Sequence, residues 1–523
     1  MLSTICESSR LIKNSVMILL NNTALLLLSW LISIWIARQL GPSNYGIFNL
    51  VLWMSNTIVW VLGMGLIHAI TKFIAEYQGK NERNQCKPII LFILKIELLI
   101  SVPTTIVLIF FRSTISTFFF SPNESVYFLI MFIGIIPGLI TAVFSAAIEG
   151  IQKFEYFTVF NFIASPLSFL AKAYVLYIGK GVNGLLAVML LFSFINALFY
   201  FFVLKREGMF KKTSTRLSQE LKKRVLHYNR SVLSIILCDK IVWDKSENFF
   251  LGRYSSSTQI GFYNLGYNVA NKFVNIFPNT IWKILFPAMS NYCGSKDYDK
   301  VKRLFYLSVR YLAFFSFPIG AAGSILSFQI IKFLYGYEYI DAQRVMQLVF
   351  LTSIVTSLSK PSSAVLYAFN KQSFIFKYGS VLAFLNIVLN FFLIRQWGAI
   401  GAAISYCSIT LLGSTGGILY TCKKMKVIIP FIPLAKIFFS TIIMSLVMKI
   451  IISKDGSLLG FFLSIVAGFV TYAVCSLSFG SFQQEDLRVL RKIRETMPGF
   501  TKFIPGFFIG IITDYKNIEK ICE

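Results

Sequence analysis

Two polar constellations stand inside apolar stretches of this chain, and each could do chemistry that lipid makes costly. The first is a row of asparagines: Asn264, Asn268, Asn271, Asn275 and Asn279, spaced 4, 3, 4 and 4 residues apart. That spacing predicts one face of a helix, bordered by Lys272, four residues after Asn268. Carboxamides both donate and accept, so such a face can hydrogen-bond sugar hydroxyls or fasten one helix to another. The height of the stripe favours a wet cleft over helix-to-helix glue. For the shorter pair Asn49 and Asn56, seven residues apart, the two readings are evenly matched. The second constellation is Asp239, Lys240, Asp244, Lys245 and Glu247 within one apolar run. Lys240, Asp244 and Glu247 fall at i, i+4 and i+7, and so can pair as a self-neutralised structural group. Alternatively, Asp239, Asp244 or Glu247 binds a proton or Na⁺ that drives transport.

Further cations, Lys95, Lys172 and Lys360, lie in other apolar runs. Glu97 is two residues from Lys95 and does not share its face. Cations within such runs outnumber the four carboxylates Glu97, Asp239, Asp244 and Glu247. A surplus of fixed positive charge favours an anionic passenger such as a phosphate-bearing one, for which lysine supplies a compact point charge. The candidate substrate cavity therefore comprises Asn49, Asn56, Lys95, Lys172, Lys240, Asn264, Asn268, Asn271, Lys272, Asn275 and Lys360.

The elements that must hold these groups are membrane spans. Hydrophobic residues make up 56% of the chain and charged residues 14%, with a mean hydropathy of +0.69; a soluble domain could not hide that much apolar surface. A span needs roughly 20 apolar residues. About fourteen are predicted, near 15–36, 47–70, 88–111, 125–148, 157–178, 183–204, 229–251, 261–287, 305–331, 343–368, 374–394, 399–421, 432–452 and 458–479. Pro278 is expected to kink span eight near its cytoplasmic end. With the N-terminus inside, roughly two dozen Lys and Arg precede the tail on the cytoplasmic side, against about nine outside. Both termini are thus expected in the cytoplasm.

The net charge of +27 is scattered through short loops, which fits membrane orientation better than a nucleic-acid footprint. The eight cysteines fall in apolar runs or expected cytoplasmic segments, so no disulfide framework is predicted. The first apolar run has no small-residue cleavage site and reads as retained. No Gly-x-x-x-x-Gly-Lys-Ser/Thr loop is present, which argues against an ATP-driven pump within this chain. No cofactor, metal cluster or catalytic constellation is predicted, and the external loops are too short for a glycosyltransferase site.

The chain is also doubled. Arg38-(seven residues)-Gly46-Ile-Phe-Asn-Leu50 recurs as Arg253-(seven residues)-Gly261-Phe-Tyr-Asn-Leu265, 215 residues later. A looser echo pairs Gly181-Val-Asn-Gly184 with Gly398-Ala-Ile-Gly401 at 217 residues. Six spans between the copies put both on one side of the membrane, so the halves are parallel repeats. The expected organisation is an all-α polytopic membrane protein. It comprises an N-terminal lobe of spans 1–6 (1–204), an inter-lobe connection (205–228), a C-terminal lobe of spans 7–12 (229–421), an added helix pair (422–479) and a basic amphipathic cytoplasmic tail (480–523). The repeated motif, with Arg38, Gly41, Pro42, Tyr45, Gly46, Arg253 and Gly261, reads as structural.

Ala37-Arg-Gln-Leu-Gly-Pro-Ser-Asn-Tyr-Gly46 resembles the signature opening the polysaccharide-transporter branch of the multidrug/oligosaccharidyl-lipid/polysaccharide exporter superfamily. Thr71-Lys-Phe-Ile-Ala-Glu76, Gly261-Phe-Tyr-Asn-Leu-Gly-Tyr267, Leu285-Phe-Pro-Ala-Met-Ser290 and Leu334-Tyr-Gly-Tyr-Glu-Tyr339 are similar to later segments of that branch. Its frequent Asp-Arg near the end of span seven is replaced by Ser246-Glu247-Asn248. The resemblance implies a flippase that moves undecaprenyl-pyrophosphate-linked oligosaccharide across the cytoplasmic membrane by alternating access. A proton or Na⁺ gradient is its candidate driving force, and O-antigen or other surface polysaccharide its product. A lipid II-type peptidoglycan precursor and a small cationic drug are the alternative passengers. The implied partners are the lipid-linked glycan, the phospholipid bilayer, a polysaccharide polymerase and a chain-length regulator.

Overall fold

The computed structural model describes residues 30–63, 65–80, 82–210, 217–229 and 245–481, with helical backbone alone over 2–29. Asp239, Lys240, Asp244 and the expected amphipathic tail from residue 482 on lie outside the described residues. The described elements are helices: α1 (Leu2–Gly63), α2 (Leu66–Gly79), α3 (Cys86–Phe110), α4 (Arg112–Phe119), α5 (Ser125–Ile133), α6 (Ile135–Gly150), α7 (Glu155–Tyr177) and α8 (Gly181–Arg206). A helical stretch at 219–229 (α9) follows. Then come α10 (Glu247–Tyr254), α11 (Ser257–Val274), α12 (Ile276–Gly294), α13 (Tyr298–Ile325), α14 (Ser327–Leu334), α15 (Ala342–Thr356), α16 (Lys360–Ala368), α17 (Gln372–Met425), α18 (Phe431–Lys454) and α19 (Leu458–Ser478). Ten helical stretches among the described residues are long and apolar enough to cross a membrane, and the chain is a multi-pass, all-helical membrane protein.

Where the spans bend, the cause is local and readable. Two expected spans run together as α1, kinked at Gly41 (φ 70°, ψ 169°); only glycine takes that conformation cheaply, and Pro42 is preset to start the next helix. Likewise α17 joins two spans across Gly398. Gly181, its counterpart in the looser echo, has φ +51° against +52° at Gly398, so the echo is a repeated backbone turn. Span eight breaks into α11 and α12 at Asn275, three residues before the expected kink residue Pro278. Proline has no N–H to donate to the carbonyl of Val274, and the ladder opens there. Span four obeys the same rule: α5 and α6 part at Gly134, three residues before Pro137.

Two compact units emerge. One contains residues 1–264, 334–341 and 379–406; the other contains residues 265–333, 342–378 and 407–523. In the first, Ile70, Phe73 and Ile74 of α2 pack with Ile89 and Ile93 of α3, Ala147 and Ile148 of α6, and Leu221 and Val225 of α9. In the second, the α18–α19 pair is fastened to α13: the Tyr472 hydroxyl donates to the Phe314 carbonyl at 2.7 Å, and Met444, Met448 and Tyr472 share one buried cluster.

Candidate functional site

At the start of α10 a buried acid gathers a polar network around itself. Glu247 is 1% exposed. The Tyr263 hydroxyl donates to its Oε2 at 3.1 Å, and Asn386 Nδ2 donates to its Oε1 at 3.3 Å. Ser246 Oγ donates to Asn386 Oδ1 at 2.7 Å, and Asn390 Nδ2 donates to the same oxygen at 2.7 Å. On the next residue of α10, Asn248 Oδ1 accepts from Asn264 Nδ2 at 2.7 Å. Lys245 Nζ donates to Asn264 Oδ1 at 3.4 Å. Three elements thus converge: the start of α10, the first half of α11, and the part of α17 before Gly398. Lys245 itself takes the left-handed backbone conformation, φ +53°, a strain of about 1–3 kcal/mol that surrounding contacts must hold. Asn390 Oδ1 is buried and, among the described residues, receives no donor. Both carboxyl oxygens of Glu247 are thus held by donors, in a network of carboxamides and hydroxyls where a polar group at membrane depth is costly and commonly functional.

A second polar place is a cavity of about 540 Å³ lined by α7, α8, α6 and the first half of α1. On α7 its lining residues Asn161, Ser165, Ser168 and Lys172 are 4, 3 and 4 apart, so they share one helical face. Asn196 and Ser193 on α8 and Thr141 on α6 close the ring. Among the described residues no carboxylate pairs with Lys172. A half-buried ammonium among amides and hydroxyls has the donors and acceptors to meet an oxyanion whose other atoms carry hydroxyls.

The remaining predicted residues are dispersed. Asn49 is half-buried and donates back to the Tyr45 carbonyl at 2.8 Å on its own helix, while Asn56 is exposed. Lys95 is exposed. In the asparagine stripe Asn264 is buried in the Glu247 cluster, Asn268 is half-buried, and Asn275 donates to the Asn271 carbonyl across the break at 3.1 Å. Lys272 and Lys360 are half-buried and, like Lys172, without a carboxylate partner among the described residues. The acid-base set of span seven is represented by Lys245 and Glu247 alone.

The duplicated motif folds against itself. A Cβ placed on Gly46 would sit 1.8 Å from the Ser257 carbonyl oxygen, and one on Gly261 would sit 2.2 Å from the Pro42 carbonyl oxygen. Ser257 is the residue 215 positions after Pro42, so the two copies meet by the same atoms. Ser43 and Ser257 hydroxyls lie 2.7 Å apart in the same seam. Around it, Arg38 Nε donates to the Leu334 carbonyl and the Tyr339 hydroxyl to the Ala37 carbonyl, both at 2.7 Å. Tyr45 meets Tyr339 edge to face. Arg253, the counterpart of Arg38, instead lies over the Phe118 ring at 4.7 Å.

Sequence reasoning missed Asn386 and Asn390, although their i, i+4 spacing within an apolar run is the same signal that exposed the asparagine stripe. It also missed the α7 row leading to Lys172. Glutamate at 247 was visible, but its donors lie 16 and 139 residues away and no local pattern links them.

Residues 35–344 match the family described as "Polysaccharide biosynthesis protein", and residues 247–479 match the family described as "Lipid II flippase MurJ". A "Probable flippase AglR" of Haloferax volcanii is 26% identical over 249 residues, 47% of this chain and 52% of that protein, so the chain spans about half the length of that relative in the match. A "Putative O-antigen transporter" of Shigella flexneri is 21% identical over 383 residues, 71% of this chain and 88% of that one. Among solved structures, the lipid II flippase MurJ in an inward closed conformation superposes with a TM-score of 0.71 at 15% identity, covering 88% of this chain and 98% of that one. At that identity the likeness is one of fold.

Proposed function

We propose, from the premise that the chain belongs to the polysaccharide biosynthesis protein family, that it is a flippase for undecaprenyl-pyrophosphate-linked oligosaccharide. The product would be O-antigen or another surface polysaccharide. The observation that carries this reading is Lys172 in its cavity. The ammonium can neutralise a phosphate while Asn161, Asn196 and the neighbouring serines bond sugar hydroxyls. About 540 Å³ is in the range of a ligand pocket and suits a headgroup with one or two sugars; the polyprenyl tail would stay in lipid. Lys272 and Lys360, also without a carboxylate partner among the described residues, extend the supply of positive charge to the second unit. In this reading the passenger crosses by alternating access in the cytoplasmic membrane with both termini inside. Glu247 and its asparagines take up the proton or Na⁺ that drives the cycle. A polymerase and a chain-length regulator are the partners that would receive the flipped unit.

A lipid II-type passenger is the second reading, favoured by the family match over residues 247–479. A small cationic drug fits poorly, because half-buried lysines without carboxylate partners among the described residues repel cations. The test is translocation of labelled lipid-linked oligosaccharide in liposomes carrying the whole protein. Lys172→Ala is expected to slow it at least about tenfold, the size of losing one charged hydrogen-bond partner. Transport by wild-type vesicles no faster than by protein-free vesicles would overturn the reading, and faster transport of lipid II than of the oligosaccharide would decide for the alternative.

A further inference from the structure

Helix α3 carries a second acid that the cycle above does not use. Glu97 is 1% exposed, and Ser101 and Thr105, one and two turns further along, are 0% and 3% exposed. The spacing i, i+4, i+8 puts the three on one face, with a rise of about 6 Å per step. Among the described residues, neither carboxyl oxygen of Glu97 has a hydrogen-bond partner, and neither do Ser101 Oγ and Thr105 Oγ1. The hydroxyls are informative in themselves. A helical serine or threonine ordinarily folds back onto a carbonyl three or four residues earlier. Thr104 does so to Ile100, Thr141 to Pro137 and Ser145 to Ala142. Ser101 and Thr105 forgo that bond and leave their oxygens free within the helix packing.

Helices α1, α2, α4, α5 and α6 all pack against α3. Their titratable groups include Arg38 on α1, His68, Lys72 and Glu76 on α2, Arg112 on α4, Tyr127 on α5 and Glu149 on α6, with Arg83 in the turn before α3 and Lys87 and Lys95 on α3 itself; among the described residues none makes a hydrogen bond or ion pair with Glu97. An isolated buried carboxylate is costly and is best accommodated as the neutral acid.

We propose that Glu97 is a proton-carrying site, reached through Ser101 and Thr105 by way of interleaved water. A hydroxyl both donates and accepts, and rungs about 6 Å apart match the distance that one water bridges between two oxygens. The step is a simple transfer: hydronium gives its proton to the carboxylate, leaving water and the neutral acid, and release reverses it. A metal cation is the poorer occupant, since it gathers several oxygens around one point and these are strung along the helix. The site is separate from the Glu247 cluster and does not depend on which passenger the protein carries.

Infrared spectroscopy of the whole protein in liposomes tests this directly. The wild type is expected to show a protonated-carboxyl C=O band near neutral pH that bleaches reversibly as the pH is raised towards about 10. Glu97→Gln, which keeps shape and neutrality, is expected to lose that band. The pair Ser101→Ala, Thr105→Val keeps the acid, and after a pH jump its band should respond at least about tenfold more slowly than wild type, as expected if the hydroxyls relay the proton. A band unchanged in Glu97→Gln would overturn the proposal. So would a Glu97 band persisting over the whole pH range, which would mark a permanently neutral structural acid, or one bleached by Na⁺ at fixed pH, which would mark a cation site. An unslowed response in the double variant would remove the relay. If the band titrates while wild-type vesicles move no lipid-linked glycan, the proton site stands and the flippase reading falls.

Discussion

Glu247 and Glu97 are buried to the same 1% exposure, and the chain treats them in opposite ways. Around Glu247 the fold supplies a tyrosine hydroxyl, two asparagine side chains and a serine, so the carboxyl group is held and oriented. Around Glu97 it supplies apolar packing and two hydroxyls that do not reach it. The difference teaches that burial alone does not define an acid's role. An acid with donors around it has a fixed geometry in which charge is tolerable, whereas an acid without them contributes nothing to holding its helix in place.

The comparison can be broken by substitution. Glu247→Leu leaves Tyr263 and Asn386 without their acceptor, and should destabilise the protein by about 2–5 kcal/mol, read as a lowered midpoint in thermal unfolding in detergent. Asn264→Leu, which removes the partner of Asn248, should cost about 1–3 kcal/mol in the same measurement. Glu97→Leu should change stability by no more than about 1 kcal/mol and in the favourable direction, because it removes an unpartnered polar group. Equal losses for Glu247→Leu and Glu97→Leu would abolish the distinction.

A solvent-facing acid sharpens it from the other side. Glu76 accepts from Lys80 at 2.8 Å and from both terminal nitrogens of Arg224 on α9 at 3.0 Å. Those partners, the Lys80 hydrogen bond foremost, hold its carboxyl below its ordinary value. A lowered value in the folded state means that the pair stabilises above the ordinary carboxylate range and stops doing so as the pH falls through the folded value. Arg224→Ala should therefore cost about 0.5 kcal/mol or less near neutrality. The gap between its unfolding midpoint and that of the wild type should close on acidification.

Much of the fold was legible because it rests on local physics. Apolar runs set the helices, Gly41 and Gly398 mark the turns within merged helices, and Pro137 and Pro278 open the ladder three residues upstream, a shift that placed the kink of span eight at Asn275. The site was legible only in part. Asn264 and Glu247 were found because each breaks an apolar run, but Asn386 reaches Glu247 from 139 residues away, and such a pairing is fixed by packing, which no local pattern encodes. The asparagine stripe was read as one continuous face. Its upper member joins the Glu247 cluster, whereas Asn271 and Asn275 bond to one another across a broken helix.

The reciprocal seam at Gly46 and Gly261 has the form of an isologous dimer contact written twice into a single polypeptide. Each half carries, at that point, a surface complementary to itself. A side chain gained at either glycine collides with the backbone of the opposite copy, so the two halves, however far the rest of their sequences have drifted, are bound to keep the same residue there.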